Sequence, residues 1–116
     1  MRKRATGISR KELPAYLYAI DEVWADARRD YREENKVAFG WNAQFLVQQG
    51  TELFLKSKGA SMPKPNILAK KLKSLDPRFA KIVERFYSAK NDKGKFEALG
   101  RLMAYVIAHF GKMPQK

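Results

Sequence analysis

The chain has 116 residues, 45% hydrophobic and 31% charged, with 24 Lys and Arg against 12 Asp and Glu for a net charge of +12. That length suits one modest core, and that balance belongs to a globular chain rather than a disordered one. With no cysteine and a single histidine, a disulfide framework and a thiolate metal site are excluded, and a zinc site has no ligand set.

In chain order, residues 1–13 read as a flexible basic arm, with Arg2, Lys3 and Arg4 at its start. Ser9 and Glu12 have the spacing of a capping box, although Pro14 follows closely. The start MRKRATGISRK lacks the apolar stretch of a secretory signal, and no apolar run approaches the roughly 18 residues of a membrane span. The expected location is the cytoplasm, with no membrane partner.

From Pro14 to about Asn35, Tyr16, Leu17, Ile20, Val23, Trp24, Ala27 and Tyr31 recur at helical spacing. The other side of this helix carries Asp21, Glu22, Asp26 and Asp30 with Arg28, Arg29 and Arg32, close enough to pair and expected to form a solvated face. A second helical pattern runs from about Val37 to Lys56, through Phe39, Trp41, Phe45, Leu46, Val47, Leu53, Phe54 and Leu55. Its apolar residues cover more than one side, as in a central helix touched by several neighbours. Gly40 and Gly50 inside it are expected to allow close helix contact. Lys58-Gly59 ends it with a left-handed cap, and Ala60 to Pro65, holding two prolines, is expected to be a stiff non-helical connection.

The run Asn66 to Tyr87, NILAKKLKSLDPRFAKIVERFY, is a helix, a corner and a second helix. Asp76 can accept the first free amide hydrogens of a helix, and Pro77 fits its first position because it has no amide to lose. Leu68, Leu72 and Leu75 share one face before the corner, and Phe79, Ile82, Val83 and Phe86 share one after it. Lys70, Lys71, Lys73, Arg78, Lys81 and Arg85 occupy much of the remainder and are the candidate anion-binding residues. Beyond a polar loop over 88–93, Asn91 or Asp92 can cap a last helix with the stripe Phe96, Leu99, Leu102, Met103, Val106 and Phe110. Gly111 ends that helix, and His109 benefits from its dipole. The fold class is therefore all-α, a helical bundle of four to five helices over residues 14–111, with residues 112–116 as a tail.

Charge is uneven along this plan. Residues 1–58 hold 11 basic and 8 acidic side chains, whereas residues 59–116 hold 13 and 4. Such an excess favours a polyanionic partner: nucleic acid, nucleotide phosphates or an acidic protein surface. The aromatics Trp24, Trp41, Phe45, Phe54, Phe79, Phe86 and Phe96 fall on apolar stripes and are expected in the core rather than as stacking platforms. The corner loosely matches a helix-turn-helix outline, but its second helix offers cations without Asn or Gln, which suits phosphates better than base edges.

No Gly-rich phosphate loop, nucleophile triad, HExxH or calcium loop is present. The close Arg–His spacing of helical ribonucleases is missing too, Arg101 lying eight positions before His109. The chain is expected to have no catalytic residue, no cofactor and no enzyme activity of its own.

Three runs, FLVQQGTELFLKSKG, MPKPNILAKKLKSLDPRFAKIVERFYSA and KFEALGRLMAYVI, together resemble the helical domain that accompanies small polymerase-beta-type nucleotidyltransferases, the kanamycin nucleotidyltransferase C-terminal-like or substrate-binding bundle. The likeness covers about residues 25–110 and rests on scaffold features. It implies a bundle packed beside a catalytic subunit or domain and helping to form its cleft for nucleotide or acceptor. The family's Gly-Ser and paired aspartates have no counterpart here, so no metal ligand is implied. The first expectation is a basic binding module of this kind, contacting nucleotide or acceptor phosphates through the cations of the corner; the alternative is an electrostatic DNA- or RNA-binding protein, and a weaker alternative an adaptor or inhibitor docking on an acidic protein.

Overall fold

Helix boundaries in this chain are set by side chains that suit them. The computed structural model describes residues 11–111, which form α1 (Glu12–Arg32), α2 (Lys36–Ser57), α3 (Pro65–Leu75), α4 (Pro77–Ser88) and α5 (Asp92–Phe110), with no strand among the described residues. The side chains of Asn35, Asp76 and Asn91 accept from the amides of Ala38, Phe79 and Gly94 to cap α2, α4 and α5. Each acceptor satisfies a donor that the first helical turn leaves free. α1 begins two residues before Pro14, so Pro14 sits in its first turn. Its N-cap Lys11 makes no side-chain cap bond, and the capping-box partner Ser9 lies outside the described residues, as do most of the arm and the tail.

α2 stops where Gly59 takes a left-handed φ of 75°, and Ala60 returns its amide to the Leu55 carbonyl at 2.8 Å. This pattern satisfies the last carbonyls of the helix. The connection that follows is shorter than expected, because Pro65 belongs to α3 as its first residue. A fixed φ and a missing amide cost nothing at that position.

The pairing of helices follows from which residues meet. Asp30 with Asn42, and Glu12 with Lys56, make α1 and α2 an antiparallel hairpin. Asp76 with Tyr105, and Phe86 with Lys95, do the same for α4 and α5. α2 and α5 run parallel between them, since Phe39 meets Phe96, Gly50 meets Leu102 and Phe54 meets Tyr105. α3 packs on α4 at the outer edge. The result is a slab of 52 × 38 × 21 Å, the thickness of two helix layers.

Leu17, Ile20, Phe39, Leu46, Leu53, Phe54, Leu72, Phe79, Leu99 and Leu102 are all buried in one core. Three expectations need correcting. Asp30 is not on a solvated face: it is 3% exposed, takes a 2.7 Å hydrogen bond from the Asn42 amide and lies 3.6 Å from Arg29. A carboxylate can be buried there because both neighbours supply donors. Trp41 and Phe45 are not core residues, being 76% and 41% exposed. Gly40 makes no close helix contact, for nothing lies within 4 Å of where its Cβ would stand, whereas the Leu102 side chain is 3.4 Å from the corresponding point at Gly50.

Candidate functional site

The corner between α3 and α4 is built around one carboxylate oxygen. Oδ1 of Asp76 accepts from the Phe79 amide at 3.1 Å and from the Tyr105 hydroxyl at 2.8 Å, so it both starts α4 and ties the corner to α5. Asp76 is buried and Tyr105 half-buried. Burial first, and then the hydrogen bond to Asp76, hold the Tyr105 phenol above its ordinary value of 10.0, with the charge of Arg78 acting in the opposite sense. These bonds fix the direction in which α4 leaves the corner, and with it the side of α4 that meets water.

On that side stand Arg78, Lys81 and Arg85, all exposed. At about 100° per residue they fall within about 60° of one another around α4, a single stripe about 10 Å long. Lys70, Lys71 and Lys73 of α3 spread over about 160° by the same geometry. Lys71 is half-buried beside the apolar edge, and Lys70 faces away from Leu72. The structure therefore brings three of the six candidate cations together and disperses the other three. Among the described residues none of the six is in a salt bridge; the ion pairs there are Arg29 with Asp26 and Asp30, Lys36 with Asp92, and Lys56 with Glu12. Lys95, by contrast, is spent internally on the Phe86 carbonyl at 3.3 Å and on the Phe86 ring.

A second feature borders this stripe on α4. α2, α3, α4 and the 62–63 connection enclose a cleft of about 820 Å³, floored by Val47, Leu68, Leu72, Ala80 and Val83 and rimmed by Gln44, Gln48, Glu84 and Ser88. Tyr87 closes one side with a 2.9 Å hydrogen bond to Gln44. Among the described residues Glu84 is the one charged side chain on its wall. Beyond the cleft, Val37, Trp41 and Phe45 continue along the exposed side of α2 at four-residue intervals. The cleft does not stand out in the sequence because its residues come from three helices and share no motif. The signal available was the apolar excess of α2 on more than one side, which here reflects an uncovered face as well as a central position.

Among the described residues no group of three or more His, Asp and Glu side chains is placed to hold a metal ion, and no helix is long and apolar enough to cross a membrane. No protein-family model, no curated protein and no solved structure matches this chain.

Proposed function

We propose that this chain is a non-catalytic binding module that holds the phosphates of a nucleic-acid backbone along the cationic stripe of α4. The observation that supports this reading most is the common exposure of Arg78, Lys81 and Arg85 on one side of α4, none of them in a salt bridge among the described residues. A row of open cations matches a row of phosphates, and each contact gains by releasing a counterion. A shaped nucleotide site would need cations in a concavity, and among the described residues none stands on the wall of the apolar cleft. α4 also carries no Asn or Gln, so affinity without base readout is the expected mode.

The test is fluorescence anisotropy with a labelled 20-base-pair DNA duplex and an RNA of equal length. Arg78→Glu/Lys81→Glu/Arg85→Glu should abolish binding at low salt while the helical circular dichroism is kept. Unchanged binding by that variant, or no binding by the parent chain, would reject the reading.

The second reading, a nucleotide- or acceptor-binding partner of a nucleotidyltransferase, is favoured by the uncovered apolar residues Val37, Trp41 and Phe45, which a second subunit could cover. It predicts retention of a nucleoside triphosphate at moderate salt, where duplex binding has weakened.

A further inference from the structure

We propose that the cleft between α2, α3 and α4 is a docking groove for one amphipathic helix of a partner protein, and that the flanks of this helix are acidic. The groove borders the proposed phosphate site, since Glu84 and Ser88 of its α4 wall lie about 60° and 20° around the helix from Lys81, but its apolar floor uses none of the three cations. Its geometric basis is the shape and extent of the apolar surface. Gln44, Val47, Gln48 and Thr51 line the groove from α2 at spacings of three and four residues, so one side of two helical turns forms the wall. Val37, Trp41 and Phe45 prolong this surface toward the start of α2, with Val37 and Trp41 73% and 76% exposed. From Val37 to Thr51 the surface runs about 21 Å, the length of about 14 helical residues. A helix laying an apolar face into such a groove is a common mode of peptide recognition.

Charge chooses between a partner helix and a second copy of the chain. Exposed Lys64 stands between Pro63 and Pro65 at one end of the groove, and exposed Lys73 follows the lining residue Ala69 by one helical turn. Neither is in a salt bridge among the described residues. A second copy would carry its own net +12 to the complex, whereas a helix with Asp or Glu beside its apolar face would neutralise the rim. Glu84 on the α4 wall adds a register mark, because the partner residue opposite it must be neutral or basic.

Selection from a displayed library of random 16-residue peptides against the full chain tests this. Enrichment of peptides with apolar residues at helical spacing and flanking Asp or Glu is expected. Their binding should be lost in Ala69→Trp, which fills the groove from an exposed position and leaves the net charge at +12. Trp41→Ala should weaken it by about tenfold, and Lys64→Glu/Lys73→Glu should shift the selection toward basic flanks. Four results would overturn the proposal. These are no enrichment, enrichment without helical spacing, acidic peptides that bind Ala69→Trp equally and so read only net charge, or groove occupancy explained by self-association or by lauric acid in sedimentation and displacement assays.

Discussion

Asp76 shows how much one side chain can settle. Its Oδ1 caps α4 and holds Tyr105, so Asp76→Ala should lose about 1–2 kcal/mol of stability in urea unfolding, whereas Asp76→Asn, which keeps an acceptor, should lose less. The raised Tyr105 phenol adds a pH dependence with a definite sign. The folded chain keeps that proton to higher pH than the unfolded chain does, so the stabilisation is whole below pH 10.0 and is lost as pH rises through the folded value. Tyr16 is raised as well, by burial and then by Glu52, and contributes in the same direction. Tyr105→Phe should therefore reduce the fall in stability above pH 10.0 without removing it. An alkaline unfolding profile unchanged by the substitution would refute this assignment. The capping role of Asp76 was legible from Asp-Pro alone, because it depends on neighbours in the chain. The bond to Tyr105 was not, since 29 residues separate the partners.

At the scale of elements, what a periodic pattern can specify was legible: an all-α chain of four to five helices, of which the fold has five, the Gly59 and Gly111 ends, and the apolar stripes of α1, α4 and α5. What depends on how helices meet was not. Gly40 and Gly50 have the same identity and the same helix, yet only Gly50 faces a neighbour. Gly40→Ala should thus stabilise the chain by about 0.5–1 kcal/mol, since it gains helix propensity and meets nothing. Equilibrium unfolding decides this, and a destabilised Gly40→Ala would mean that something packs on that side of α2. Trp41 teaches the same lesson in reverse: its spacing fits a stripe, but none of the described helices lies over it. The six cations of the corner were equally visible as a group, and only the direction of each helix separates the aligned trio of α4 from the scattered trio of α3.

At the scale of the molecule, two surfaces lie side by side on α4, Ser88 of the cleft rim standing about 20° around the helix from Lys81 of the stripe. One is a strip of open cations and the other an apolar groove with a carboxylate on its wall. Self-repulsion from +12 opposes association of copies and favours anionic partners, which we propose to be phosphates on one surface and an apolar helix with flanking carboxylates on the other. Since Arg78, Lys81 and Arg85 are exposed, replacing them should leave the core and the helix content intact, and any change in binding is then a change in surface charge. The salt dependence of duplex binding tests the central claim most directly. If three phosphates are neutralised by α4, the slope of log K against log salt should be shallower by about 2–3 in Arg78→Gln/Lys81→Gln/Arg85→Gln than in the parent chain, and less altered in Lys70→Gln/Lys71→Gln/Lys73→Gln. Equal slopes for the parent chain and the α4 variant would contradict the account.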